Sequence, residues 1–176
     1  MFKKIFFIVV AFVPTLALAN WSYVDKVDDF TDEVVKYTAY TDSDHRIQLS
    51  RENNAVWIFI TRKKTGTFEP NGIIQMRIDN NKMRETDPKK LKELGKMLGN
   101  STFQWEPDTV GFLVWHGKSE DDGCGFISEL LSGEELKVRY QINTMERDSF
   151  KVDLKSAKEA ITSGLDLKIC GMSEKI

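Results

Sequence analysis

A histidine, two aspartates and a cysteine lie close together in residues 116–126, which read HGKSEDDGCGF. A catalytic cysteine needs a nearby base that removes its proton and a third group that orients that base. His116, Asp121 and Cys124 are residues of those types. A second cysteine, Cys170, offers a different role for Cys124, as one half of a disulfide bond. The choice depends on the compartment in which the chain works.

The N-terminus has the three parts of a secretory signal peptide. A short basic start, MFKK, precedes the apolar run Ile5–Val13, and residues 17–19 supply the small residues that signal peptidase requires. We therefore expect cleavage after Ala19 and a periplasmic mature chain. A membrane anchor is disfavoured, because Pro14 interrupts an apolar run that is shorter than the ~20 residues of a spanning helix. We expect no membrane span in the mature chain.

Export favours the structural role of Cys124. The chain has 2 cysteines, and an even number in an oxidising compartment usually means a disulfide bond. The predicted Cys124–Cys170 bond would stabilise the fold by roughly 4 kcal/mol in the chain-entropy model. A catalytic cysteine is the disfavoured alternative, and we assign no catalytic residue.

Other catalytic and metal-binding patterns have little support. The chain has 2 histidines, with no HxxxH or CxxC spacing, which argues against a zinc site. The acid-rich segment 25–33 lacks the spacing of a calcium loop. Neither a G-x-S-x-G motif nor a glycine-rich phosphate loop occurs. We therefore expect no metal, no cofactor and no enzymatic activity.

Charge indicates the class of partner. Loss of Lys3 and Lys4 with the signal peptide takes the formal charge from −2 to −4, so we expect no nucleic-acid ligand. A basic stretch after one strand and the acidic loop before Cys124 are either solvated surface or partner-binding surface. The candidate partner-binding residues are Arg62, Lys63, Lys64, Glu120, Asp121 and Asp122.

Alternation of apolar and polar residues predicts about eight short strands. Val56–Ile60 is apolar on both faces, which indicates a central strand. The other predicted strands cover residues 34–41, 46–50, 74–78, 102–106, 110–116, 136–142 and 150–154, and residues 21–24 are a candidate first strand.

Three segments have helical signals. Asp87 is a good N-cap, Pro88 suits the first helical position, and Gly99 suits the end of that helix. A second helix is predicted near residues 126–133, and a third at residues 155–163, ended by Gly164. Together the signals predict a mainly β fold, an antiparallel β-sandwich or barrel-like sheet with two or three short peripheral helices. One domain should span residues 20–176.

Three segments carry a resemblance to a known group of proteins: FISELLSGEELKVRY at residues 126–140, SFKVDLKSAKEAITSG at residues 149–164, and the terminal Cys170. With Trp21 at the mature start, DDFTDE and MRID, they are similar to small exported bacterial proteins of the type VI secretion-associated VasI/TagO-like group. More distantly, the chain resembles the invasion-associated locus B proteins, although it lacks their cysteines near the mature N-terminus. The resemblance implies a non-enzymatic periplasmic β-rich domain and transfers no active-site residue.

These observations lead to two functional hypotheses. The first is a non-enzymatic exported binding or accessory protein of the bacterial envelope, associated with secretion if the resemblance holds, whose partner is a protein or another envelope component. The second is a periplasmic inhibitor of a cell-wall hydrolase or another envelope enzyme, acting through loop 65–72 or loop 118–123. An enzyme has the least support.

Overall fold

A computed structural model describes residues 20–27, 30, 32, 34–52, 55–64, 66–99, 101–116 and 125–165. These residues form two antiparallel sheets and three helices. The predicted mainly β fold with short helices is therefore confirmed. The predicted signal peptide, both cysteines and the acidic residues Glu120, Asp121 and Asp122 lie outside the described residues. The Cys124–Cys170 bond accordingly stays a prediction.

The elements follow the chain in a simple order. The strands are β1 (Asn20–Val27), β2 (Val34–Thr41), β3 (His45–Glu52), β4 (Ala55–Arg62), β5 (Ile74–Ile78), β6 (Arg84–Thr86), β7 (Phe103–Trp105), β8 (Thr109–His116), β9 (Glu135–Gln141) and β10 (Arg147–Asp153). The helices are α1 (Pro88–Leu98), α2 (Gly125–Ser132) and α3 (Ala157–Leu165).

The strands divide between two sheets. One sheet has six strands in the order β1-β2-β3-β4-β8-β7, and the other has four in the order β10-β9-β5-β6. Strands that are close in sequence mostly pair as antiparallel neighbours, as expected for short connections. The predicted central strand is confirmed, because β4 lies between β3 and β8.

The two sheets and the helices share one hydrophobic core. Ile47, Leu49 and Ile58 of the six-stranded sheet are 0 % exposed, and Leu136 and Tyr140 of the four-stranded sheet are at most 1 % exposed. These side chains recur at every second position, so they lie on the face of each strand that contacts the core. In β9 and β10 the opposite face carries polar and charged side chains.

Helix α1 forms as its sequence predicts. The Asp87 side chain accepts a hydrogen bond from the Lys89 amide, and Pro88 occupies the first turn. Gly99 ends the helix in the left-handed conformation, at φ 69°, which glycine adopts without steric penalty.

Gly164 does not end α3, contrary to the sequence-based expectation. The helix continues to Leu165 and packs against β1, β2 and β3. A Cβ atom at Gly164 would lie 3.1 Å from the backbone nitrogen of Thr38. The glycine therefore permits close packing of a helix on a strand, and this tertiary requirement explains its position.

Asp79 sets the start of β9 relative to β5. It follows β5 with a positive φ of 48°, and its carboxylate accepts hydrogen bonds from the backbone amides of Glu134 and Glu135. These bonds hold β5 and β9 in their observed register. That register decides which charged side chains become neighbours on the outer face of the four-stranded sheet.

Candidate functional site

The predicted basic residues lie at the end of β4, but each contacts a neighbour. One guanidinium nitrogen of Arg62 donates to the Thr67 carbonyl oxygen at 3.2 Å. The same guanidinium lies 5.4 Å from the centre of the Tyr140 ring. These interactions indicate that Arg62 contributes to the structure where the two sheets meet.

The two lysines that follow also have partners within the chain. Lys63 Nζ donates to the Asp42 carbonyl oxygen at 2.7 Å, and Lys64 Nζ forms an ion pair with Asp44. The side chains of Arg62 and Lys64 thus have partners within the chain, Thr67 for Arg62 and Asp44 for Lys64. Both residues also line a cleft.

That cleft has a volume of 380 Å³ and lies beside the edge strand β10. It is lined by Asp42, Ser43, Asp44, His45, Arg62, Lys64, Asp148, Ser149 and Phe150. Its walls come from both sheets, since β3 and β4 supply one side and β10 the other. Three side chains at its base, His45, Tyr140 and Asp148, are linked by hydrogen bonds and are called the His45–Tyr140–Asp148 network.

In this network Tyr140 lies between His45 and Asp148. Tyr140 Oη donates to Asp148 Oδ2 at 3.0 Å, so its oxygen must accept the proton of His45 Nε2, which lies 3.0 Å away. The neutral tautomer of His45 consequently carries its lone pair on Nδ1. The His45 ring also stacks on Phe150, with ring centres 3.9 Å apart.

Burial disfavours the charged forms of His45 and Tyr140. Burial lowers the pKa of His45 below its ordinary value of 6.5, although Asp42, Asp148 and Asp44 act in the opposite direction. The neighbouring Arg62 lowers the pKa further. His45 therefore stays neutral at pH 7. The His45–Tyr140–Asp148 network joins β3 to the four-stranded sheet.

This arrangement does not resemble a catalytic triad. The described hydrogen-bond partner of His45 is a phenol, and burial together with the Asp148 hydrogen bond raises the pKa of Tyr140 above its usual range. A neutral phenol that is bonded on both sides is a poor nucleophile. The geometry supports a structural link at the base of a ligand-accessible cleft.

The pKa of His45 leads to a prediction about acid stability. Because the folded-state pKa lies below the unfolded value, the unfolded chain binds the proton first as pH falls. The free energy of unfolding should therefore decrease below about pH 6.5, and this contribution should be absent in His45→Gln. Urea unfolding of both proteins at pH 7, 6 and 5 measures it. An equal acid dependence in the two proteins would contradict the assignment.

A second concave surface lies on the outer face of the four-stranded sheet. Arg77 of β5 lies directly opposite Lys137 of β9, which in turn lies opposite Lys151 of β10. Arg139 occupies the next outward position on β9. We call Arg77, Lys137, Arg139 and Lys151 the cationic face. Strand spacing of ~4.8 Å and a two-residue repeat of ~6.8 Å bring these side chains close together.

The cationic face lines a groove of 340 Å³. The groove is lined by Gln75, Met76, Arg77, Met83, Lys137, Val138, Arg139, Ser149, Phe150 and Lys151. Four of these lining residues are cationic, and none carries a carboxylate. The groove thus combines positive charge with a partly apolar floor.

The positive charge is only partly neutralised by the chain itself. Glu135 forms ion pairs with Lys137 at 3.1 Å and Lys151 at 3.2 Å, and these contacts lower the pKa of Glu135. The side chains of Arg77 and Arg139 are exposed, and neither guanidinium forms an ion pair or hydrogen bond with the described part of the chain. Two guanidinium groups remain available to an anionic ligand.

The sequence-based search missed this surface. Lys137, Arg139 and Lys151 were visible only as the polar members of two alternating strands, and Arg77 as that of a third. Alternation could show that each set shares a face. It could not show that β5 and β10 both pair with β9.

The described residues contain no group of three or more histidine, cysteine, aspartate or glutamate side chains placed to hold a metal ion. None of their helices has both the length and the apolar character needed to cross a membrane.

The comparisons with known proteins add no relative. No protein-family model, curated protein or solved structure matches the chain.

Proposed function

We propose that the chain is a non-enzymatic, exported binding protein whose cationic face recognises an acidic partner in the bacterial envelope. The observation that carries this proposal is the groove lined by four cations and no carboxylate. Such an arrangement attracts anionic groups and disfavours cationic ones.

The register makes the cationic face unfavourable for the isolated protein. Like charges directly opposite each other on neighbouring strands are destabilising, and Lys137 has a cation opposite it on both sides. Glu135 offsets part of this repulsion. An anionic ligand would offset the remainder, so binding and relief of repulsion would favour the same state.

The cellular part of the proposal rests on the sequence. The N-terminal segment supports export with cleavage after Ala19, and the two cysteines support a Cys124–Cys170 bond in the periplasm. The shared core of the two sheets supports a sandwich arrangement. Association with a secretion system rests only on the resemblance of the C-terminal third to the VasI/TagO-like group.

The inhibitor hypothesis receives less support from the described loop. In loop 65–72, Phe68 is 3 % exposed, and its amide donates to the Pro107 carbonyl oxygen. The Glu69 amide donates to the Gln141 carbonyl oxygen. These bonds tie the loop to both sheets, whereas a protease-type inhibitory loop would project into the enzyme. Loop 118–123 lies outside the described residues.

A salt titration tests the proposed function. The mature protein should bind immobilised poly-L-glutamate at low ionic strength. Affinity should fall at least about fivefold as ionic strength rises from about 0.05 to about 0.5 M, because the Debye length contracts from about 14 to about 4 Å. Absence of binding to poly-L-glutamate at low salt would overturn the proposal.

A further inference from the structure

Strand β10 is an edge of the four-stranded sheet, and its hydrogen-bond register can be worked out from its two ends. The Ile142 amide donates to the Glu146 carbonyl oxygen, and the Leu154 amide donates to the Glu134 carbonyl oxygen. In an antiparallel pair, hydrogen-bonded and non-bonded positions alternate. Even-numbered residues of β10 therefore bond to β9, and odd-numbered residues direct their N–H and C=O groups toward the open edge.

Two side-chain contacts support this assignment. The Asp153 carbonyl oxygen accepts from Trp21 Nε1 at 2.9 Å, and the Ser149 amide donates to Asp148 Oδ1 at 2.7 Å. Both backbone groups belong to odd-numbered residues and point away from β9. For Arg147 and Lys151, no described residue lies in hydrogen-bonding position on the open edge.

The side chains of the same odd-numbered residues lie on the outer face of the sheet. Lys151 is part of the cationic face, Ser149 lines its groove, and Arg147 extends the positive charge along β10. A strand added at this edge would place every second side chain beside Arg147, Ser149 and Lys151. Glutamate or aspartate at those positions would form cross-strand ion pairs.

The alternate side chains of an added strand would have a site on the other face. The 380 Å³ cleft lies on that side of β10, and Ser149 and Phe150 line both the cleft and the cationic groove. The open edge therefore has a concave surface on each side. This is the geometry of strand addition, in which main-chain bonds give affinity and flanking pockets give specificity.

We propose that β10 binds an extended acidic segment of a partner protein by main-chain pairing along Arg147–Lys151. This inference rests on the proposed function and adds the binding mode and the class of partner. Charge complementarity selects the occupant. Antiparallel pairing of two copies about Ser149 would place Arg147 of each chain opposite Lys151 of the other, so a second copy is disfavoured. Lysine also protects such an edge against non-specific pairing.

Two variants at one position separate main-chain pairing from charge. Lys151→Ala and Lys151→Pro both remove the charge, but only proline removes the outward N–H donor. Proline is tolerated at an edge position whose N–H is outside the ladder. The probe is the peptide Glu-Val-Glu-Val-Glu-Val-Glu, acetylated and amidated, because alternation presents its acids on one face. We expect Lys151→Pro to bind the probe at least about tenfold more weakly than Lys151→Ala.

Amide hydrogen exchange gives a direct readout. Exchange at Lys151 should slow when the probe binds, and the same peptide N-methylated at its glutamates should neither bind tightly nor slow exchange. Circular dichroism of both variants checks that they fold. If Lys151→Pro does not fold, the comparison of the probe with its N-methylated form, both titrated into the unmodified protein, still tests main-chain pairing.

The outcomes distinguish the two levels of the proposal. Equal binding of the probe by Lys151→Ala and Lys151→Pro, with unchanged exchange, would overturn strand addition and leave the proposed function intact. Tighter binding of polyphosphate than of the peptide, unaffected by Lys151→Pro, would identify an anionic polymer instead of a protein segment. Failure of both the peptide and poly-L-glutamate to bind would overturn the proposed function itself.

Discussion

Replacing Arg77 and Arg139 together with glutamate should lower the affinity for an acidic partner about 100-fold. Each arginine–carboxylate contact at an exposed surface contributes about 0.2–1 kcal/mol, and charge reversal adds repulsion of similar size. Two positions then give about 0.8–4 kcal/mol, and because about 1.4 kcal/mol corresponds to a tenfold change, a 100-fold loss of about 2.8 kcal/mol lies within that range. Calorimetric titration with poly-L-glutamate, the probe of the cationic face, would measure the change.

The same double substitution should leave the free energy of unfolding unchanged or raise it slightly. Glutamate at position 77 would lie opposite Lys137, which converts a like-charge pair into an attractive one. Glutamate at position 139 would lie opposite uncharged neighbours, Gln75 and Ser149. Binding and stability would thus move independently, as expected when residues serve a partner at the expense of the isolated fold.

Lys89→Glu with Lys90→Glu is the matched control. Both lysines are exposed in the first turn of α1, where negative charge is favourable, and the net charge changes by the same amount. This variant should bind poly-L-glutamate nearly as well as the unmodified protein. An equal loss of affinity in the two double variants would show that overall charge, and not the groove, controls binding.

Truncation of Tyr140 should have the largest effect on stability. Its side chain is 1 % exposed and packs against Phe68, with ring centres 4.9 Å apart. Tyr140→Ala should lower the free energy of unfolding by about 3–5 kcal/mol, the range for buried aromatic residues. Tyr140→Phe keeps the ring but removes the hydroxyl between His45 and Asp148, and should cost about 1–3 kcal/mol.

Urea unfolding at pH 7 measures both Tyr140 variants. Tyr23→Phe is the control, because Tyr23 is 37 % exposed and bonds only to the exposed Asp25 among the described residues; its effect should stay within about 0.5 kcal/mol. If Tyr140→Phe were as stable as the unmodified protein, the His45–Tyr140–Asp148 network would not join the sheets as inferred.

Local patterns were sufficient to predict most of the elements. Leu136, Val138 and Tyr140 alternate with charged residues, and β9 forms where this alternation lies. The α1 helix begins after its Asp87 cap and stops at Gly99. In these segments the signal depends on residues within a few positions of one another, so tertiary contacts were not needed to recognise it.

Other elements depended on distant partners. Strand β6 covers only Arg84–Thr86, without an apolar pattern, and it exists through pairing with β5. The register of β4 and β8 shifts between Val56 and Trp57, which places Trp115 opposite Val56 in the core. A short strand or a bulge has too few residues to produce a periodic signal.

For the binding surface, local alternation was enough to predict which side chains share a face of each strand. The sequence also showed that Arg62, Lys63 and Lys64 are basic neighbours, but not that internal acceptors hold them. The pairing of β5, β9 and β10 is what places four cations around one groove, and among the described residues it leaves β10 at the edge of its sheet. The physical reason is that strand pairing joins residues tens of positions apart, and the register that aligns their charges depends on the packing of the whole core.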